Sequence, residues 1–445
     1  MYGNGPAFGD DDDRPDPGGP DDGLYDGIRL RVGVNAPVGG ARIPPEEDLT
    51  RDLPRIGPLL AAGVITMDDI PDSLKRDGTL QTRAFIGDLR NDENLIVAQF
   101  HLAFLRFHNN VVKAIEANPR KFGLQGAGPD RRFRVARRLV RHHYQWLVVN
   151  DYLKTVTLPG VVDKIFVGGL KHYKPLRNNV LFAPLEYAVA GFRFGHTMVR
   201  GFYDHNRNFG NPRRDATFEQ LFLFTGNGHQ LNGADITKSI PNPFLGLPTL
   251  PSNWIIEWDR FSRKTDLDES HFTRKIDTRL VPPLHNMVNE GLEADIQDDD
   301  VPNDRVLRML LRDLAQRNLL RGYLLSIPTG QAVARAMGVS VLTEAELRQG
   351  NTPEVDAALE AGGLLQHTPL WYYVLKEAEI RANGNSLGEL GSRIVVETQI
   401  GLLIHDRRSY LNVDDGWDPS KGVMLANGDP IVTIRDFFEF AELIA

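Results

Sequence analysis

Residues 87–117 read GDLRNDENLIVAQFHLAFLRFHNNVVKAIEA. Apolar side chains recur at Ile96, Phe100, Ala103, Phe104, Phe107, Val111 and Ile115, and Leu95, Leu102 and Leu105 widen that face. Gln99, Arg106, Asn110 and Lys113 leave a narrow polar stripe. A helix apolar around most of its circumference belongs in a core, so the pattern predicts a central buried helix over Glu93–Ala117. Similar signals run through the rest of the chain. Arg131–Val156 reads as a second long helix, basic in its first half (arginines 131, 132, 134, 137, 138 and 141) and apolar over Tyr144–Val149. The arginines read as a solvated face. Pro184 suits the first position of a helix running through His196 to about Arg200. Val306–Leu320 is periodic, and Thr343 with Glu346 has capping-box spacing. Thr352-Pro353 and Thr368-Pro369 each look like an N-cap followed by proline. Ser392–Ile404 is a further apolar helix. Alternating strand patterns are scarce. The expected fold class is mainly α, a helical domain with many irregular loops and little β.

Composition narrows the function. The chain has 445 residues, 41% hydrophobic and 25% charged, with a formal charge of −8. That acidity argues against nucleic acid as a partner. Cysteine is absent, which excludes disulfides, zinc thiolate sites, iron–sulfur ligation and cysteine catalysis. No apolar run reaches transmembrane length. The first residues lack the basic and apolar regions of a signal peptide. Residues 1–80 carry Asp10–Asp13, Pro15, Pro17, Pro20, Pro44 and Pro45. They read as a loop-rich N-terminal region of the same domain as the helical residues 81–445.

Several motifs fail on inspection. Gly384-Asn385-Ser386-Leu387-Gly388 matches G-x-S-x-G, but helix formers precede it where a nucleophile elbow needs a strand. His142 and His143 are adjacent, so they leave a helix on different faces and make a poor chelate. Two constellations carry more. Arg90 and Glu93, three apart at the mouth of the apolar helix, share a face, the spacing of a local salt bridge. Phe192-Arg193-Phe194-Gly195-His196-Thr197 sets one histidine between aromatics. That residue is either a satisfied core histidine or a neutral imidazole ligand for iron, with apolar walls excluding water. A ligating histidine needs an acceptor for its other ring N–H, and Asn318 has a carbonyl oxygen to offer.

These segments together resemble the animal-type haem peroxidase family, the peroxidase–cyclooxygenase superfamily, and its bacterial members most. The G-D-x-R-x-x-E-N run with its later H-x-x-x-x-R-x-H-N is similar to Gly87–Asn109, and R-[FY]-G-H-[ST] to Arg193–Thr197. Asp313, Leu314, Arg317 and Asn318, then Pro328, Gly330 and Gln331, resemble a third run. Thr368–Tyr372 and Gly391–Val395 add to the likeness, which spans about residues 75–425. The resemblance implies a haem-peroxidase-like helical domain that reduces hydrogen peroxide while oxidising a small donor. It implies haem b as cofactor and His196 as the axial iron ligand. Asn318 would accept the Nδ1–H of His196, and Arg193 belongs to the same cofactor-binding run. Arg90 would be catalytic, stabilising negative charge as the peroxide bond breaks. Glu93 matches a position that in some relatives is esterified to the haem. His101 and His108 are assigned to helix packing and hydrogen bonding.

The family's distal G-Q-x-x-D-H-D segment has no counterpart before Arg90, and the first histidine is His101. Met1-Tyr2-Gly3-Asn4-Gly5-Pro6 resembles a segment that follows the family's calcium loop. The expectation is therefore a chain that starts inside the domain, without the distal histidine helix or the calcium loop. Two other readings stand beside peroxidase. One is a haem-dependent fatty-acid dioxygenase using a tyrosyl radical, for which Tyr372 and Tyr373 beside Trp371 are the candidates. The other is a non-catalytic haem-binding remnant.

Overall fold

The computed structural model describes residues 1–2, 22–41, 48–70, 72–75, 80–210, 215–226, 249–262, 272–287, 310–414 and 416–444. The main helices are α1 (Ile56–Ala61), α2 (Leu95–Ala117), α3 (Pro129–Leu147), α4 (Val161–Gly168) and α5 (Leu314–Leu324). They continue with α6 (Gly330–Ala336), α7 (Pro353–Ala361), α8 (Leu370–Arg381), α9 (Glu389–His405) and α10 (Ile434–Phe440). Strand content among the described residues is two antiparallel pairs of two-residue strands. Tyr25–Asp26 pairs with Arg29–Leu30, and Phe202–Tyr203 with Ala216–Thr217. The fold is mainly helical, as the patterning implied. The chain forms two compact units, one of Met1–Tyr144, Phe202–Phe272 and Asp418–Ala445, the other of Gln145–Gly201 and Thr273–Trp417.

The first unit is organised by α2. Asn94 caps it by accepting from the Val97 N–H. Its apolar face is buried as the periodicity predicts, with Leu102, Ala103, Phe107, Val111 and Ile115 sealed from solvent. Phe107 stacks on Phe437 of α10 at 4.3 Å. The polar stripe of α2 does not face water alone. Arg106 Nε donates to the Ala441 carbonyl at 3.0 Å, and Asn110 Nδ2 to the Phe440 carbonyl at 2.7 Å. These side chains satisfy carbonyls that the end of α10 leaves without helical partners.

A buried ion cluster sits beside the start of α2. The Arg55 guanidinium is 2% exposed. Its NH1 donates to both Asp92 oxygens at 2.9 Å, and its NH2 to Asp52 Oδ1 at 2.8 Å. Asp92 also accepts the N–H groups of Ala84 and Gly226, and Asp52 those of Leu53 and Leu250. Every charge is paired and the carboxylates are further hydrogen bonded, which is what burial of ions requires.

The second unit packs α8 and α9 together around Tyr373, Val374, Leu390, Ile394 and Val395. Glu377 of α8 is buried and accepts the Leu390 and Gly391 N–H groups at the start of α9, at 3.0 and 3.3 Å. It thus meets the positive end of that helix. The predicted capping box is present, with Thr343 and Glu346 exchanging bonds at the start of Glu344–Arg348. Thr352 precedes Pro353 at the start of α7.

Three expectations change. The helix at Arg131–Val156 is interrupted by a π turn at Val148–Tyr152. The run through His196 is not α-helical. A π turn at Glu186–Ala190 passes into a tighter 3-10 run at Gly191–Met198. Gly191 lies so close to α9 that a Cβ there would meet Ile394 Cγ2 at 2.7 Å. At Thr368-Pro369 the helix begins one residue later, with Pro369 as its N-cap. The Thr368 hydroxyl is taken instead by the Leu364 carbonyl and Gln331. The N-terminal part of the predicted helix at Val306–Leu320 and the acidic run Asp10–Asp13 lie outside the described residues.

Replacing Asp92 by Ala leaves Arg55 half-paired and two buried N–H groups without an acceptor. The expected loss is about 3–5 kcal/mol of stability, read as a lower urea midpoint.

Candidate functional site

The 3-10 run Gly191–Met198 lays His196 beside α5 in the second unit. Asn318, buried in the first half of α5, sets its amide 2.9 Å from His196 Nδ1. Arg193, one turn before the histidine, donates from NH1 to Asn318 Oδ1 at 2.9 Å. Arg193 is itself fixed, since its Nε donates to the Ala188 carbonyl and its own carbonyl accepts the Trp371 indole N–H. The three residues expected to form one group, Arg193, His196 and Asn318, are therefore brought together across 122 and 125 positions of sequence.

The hydrogen-bond roles differ from the expectation. Asn318 was expected to accept from His196 Nδ1–H. Here its oxygen faces Arg193, which can only donate, so its nitrogen faces Nδ1 and donates. With Nδ1 accepting, the neutral imidazole carries its proton on Nε2.

Burial is the main reason that the His196 pKa falls to about 4, and the charges of Arg193 and Arg317 push it further down. The Arg193 pKa is also lowered, by burial and then by Arg321 and Arg317. Arg317 and Arg321 lie one turn apart on α5. Sequence reading placed Arg317 in a motif without a role and left Arg321 out. For Arg321 the signal was available, because it lies three positions after Asn318 and so shares its side of a helix.

Arg90 and Glu93 belong to the first unit. The Arg90 guanidinium is 88% exposed and pairs with Asp88 at 2.7 Å, rather than with Glu93 as the spacing suggested. Asp88 also caps the short turn Leu89–Asp92. Glu93 is half-buried, and its carbonyl accepts the Thr225 hydroxyl at 2.8 Å. His101 and His108 are hydrogen bonded within the same unit. Asn91 lies 2.9 Å from His101 Nδ1, and His108 bridges Tyr2 and the Ile28 carbonyl. Burial lowers both pKa values to about 4.

The tyrosines raised as radical candidates have structural partners. The Tyr373 hydroxyl accepts the Leu342 N–H at 2.7 Å, and the Tyr372 hydroxyl lies 3.4 Å from Asn351 Oδ1. Ser386 donates to the Leu387 carbonyl between two helices, with no strand before it. Among the described residues no group of three or more His, Asp or Glu could hold a metal ion. No described helix is long and apolar enough to cross a membrane.

Residues 62–239 match the animal haem peroxidase family. This stretch contains Arg90, Glu93, Arg193 and His196, and Asn318 lies beyond it. A peroxidase-like protein of Margaritifera margaritifera is 26% identical over 143 residues, covering 31% of this chain and 17% of that protein. Peroxidase A from Dictyostelium discoideum has the same general fold, with a TM-score of 0.50 and 18% identity over 87% of this chain and 60% of its own. Over residues 62–239 the chain is thus related to the animal haem peroxidase, or peroxidase–cyclooxygenase, superfamily. It spans less than two thirds of the length of either relative.

The lowered His196 pKa has a stability consequence. Below pH 6.5 the unfolded chain binds a proton on this residue that the native chain refuses until about pH 4. Native stability therefore falls as pH drops through that window. Asn318→Asp sets a carboxylate against Nδ1 and should raise the His196 pKa, moving its imidazole NMR titration upward from about 4.

Proposed function

We propose that the protein is a haem-dependent peroxidase, of the bacterial-like type, that reduces hydrogen peroxide while oxidising a small donor. The observation that carries this reading is the His196 group. It is a neutral imidazole engaged through Nδ1 by one amide, and the charges acting on it are those of arginines. Such a donor set fits haem b, which needs a neutral nitrogen ligand and brings two carboxylates that want cations. When bound, haem supplies a redox-active iron that peroxide oxidises and electron donors reduce.

The remaining roles belong to the chain's own groups. If His196 held the iron through Nε2, its imidazole would carry its proton on Nδ1. Asn318 would then turn its amide over and accept with Oδ1. Arg193 would lose that acceptor, and its guanidinium would be available to a carboxylate, with Arg317 and Arg321 nearby. A neutral amide partner withholds the stronger electron push that a carboxylate would give the ligand. Arg90 is assigned to stabilising charge on peroxide oxygen. Its exposed pairing with Asp88 leaves the guanidinium within reach of solvent and small molecules. Glu93 is the candidate for an ester to the haem.

The test starts from haem-reconstituted protein. His196→Ala should abolish the Soret band of the bound form and lower haem affinity at least tenfold. An unchanged spectrum would sink the ligand assignment. Arg90→Ala should keep haem binding and lower kcat/KM for peroxide by about 10²-fold. Haem binding through His196 with no donor oxidation would favour the non-catalytic reading. Oxygen uptake with linoleate and no added peroxide would favour the dioxygenase.

A further inference from the structure

Residues 164–185 read KIFVGGLKHYKPLRNNVLFAPL. The segment holds Lys164, Lys171, Lys174 and Arg177 and no carboxylate, in a chain of formal charge −8. Its apolar side chains are divided. Ile165 is buried in the core. Val167, two residues on, is 91% exposed, and Phe166 is exposed beside it.

The middle of the segment is pinned. Glu397 of α9 is buried, and its Oε2 accepts the successive N–H groups of Lys171, His172 and Tyr173, at 3.3, 2.7 and 3.2 Å. The Tyr173 ring lies against Gly401, where a Cβ would sit 2.3 Å from its Cδ1. The Tyr173 hydroxyl donates to the Phe182 carbonyl at 3.0 Å and the two rings stack. Between these anchors the chain makes a tight turn. The Leu176 N–H donates to the Val180 carbonyl at 3.0 Å, and Asn178 and Asn179 take positive φ values of 64° and 58°. Leu176 and Val180, one on each leg, are 54% and 53% exposed. Arg177 sits in the turn. Arg407 and Arg408 follow the end of α9, where the His405 ring lies 6.3 Å from that of Tyr173.

A buried carboxylate spent on three backbone amides holds a loop that exposes aliphatic side chains among cations. Scattered exposed apolar residues need no explanation, but these lie close in sequence, on a backbone held by hydrogen bonds at Lys171–Tyr173 and Leu176–Val180, and are interleaved with positive charge. We infer that this segment docks on the surface of an anionic lipid bilayer. Phe166, Val167, Leu176 and Val180 enter the boundary between headgroups and acyl chains, and Lys171, Lys174 and Arg177 meet lipid phosphates. The charge selects an anionic partner, and three aliphatic tips beside a single aromatic one select a lipid rather than nucleic acid, which stacks on aromatic faces. The inference stands apart from the haem reading.

The experiment is vesicle flotation of the full 445-residue chain. The vesicles are phosphatidylcholine alone or phosphatidylcholine mixed with phosphatidylglycerol. Binding is expected to the mixed vesicles alone, and to weaken as salt shortens the Debye length from about 10 Å to about 3 Å. Lys171→Gln, Lys174→Gln and Arg177→Gln together should lower partitioning about 100-fold, at roughly fivefold per cation. Val167→Glu with Leu176→Glu should abolish it, with circular dichroism and melting unchanged. No binding at low salt, equal binding to both vesicle types, or unaltered binding of both variants would overturn the inference. So would vesicle-free protein whose dimer in gel filtration is broken by Val167→Glu with Leu176→Glu, or protein that binds an RNA probe but no vesicle.

Discussion

The arrangement of the first unit depends on one buried guanidinium. Arg55 cannot be left uncompensated inside a protein, because an unpaired buried charge costs several kcal/mol. Asp52 and Asp92 pair with it, and their spare lone pairs gather backbone N–H groups from Leu53, Ala84, Gly226 and Leu250. Segments far apart in sequence are thereby tied at one point. Asp92 lies between Arg90 and Glu93, so the same cluster fixes the turn that leads into α2.

The second unit uses carboxylates in a different way. Glu377 and Glu397 are buried and accept backbone N–H groups rather than meeting a cation in direct contact. Glu377 sets the start of α9 against α8. Burial raises its pKa, and the hydrogen bonds from Leu390 and Gly391 oppose that rise. Helices α8 and α9 both pack on the 3-10 run that carries His196. The position of the histidine is therefore inherited from two helices that contribute nothing to its hydrogen bonds. Trp371 of α8 provides the exception one step removed, through the Arg193 carbonyl.

Around His196 the electrostatics are one-sided. The neighbouring charges are cationic, and the partner at Nδ1 is a neutral amide whose orientation follows from Arg193. An amide can present either end to a histidine, whereas a carboxylate can only accept. Asn318 is thus able to serve the imidazole in either tautomer. The arginine decides which end is presented while its guanidinium has no better acceptor.

What sequence alone determined is what depends on local order. The buried face of α2 was legible because apolar side chains at helical spacing have one place to go. The Thr343–Glu346 capping box was legible because its two partners are three residues apart. The gathering of Arg193, His196 and Asn318 was legible only through the family resemblance, since spacing cannot bring positions 122 apart into contact. Tertiary structure decided the rest. The 3-10 winding at His196 accompanies the close approach of Gly191 to α9, which no local propensity encodes. The direction of the Asn318 amide was set by a third residue competing for its oxygen. Arg90 pairs with Asp88, the carboxylate that also caps its own turn, which is a local choice among neighbouring carboxylates. At Gly191 and at Asn318 the local pattern left two states open, and a contact from elsewhere in the chain selected between them.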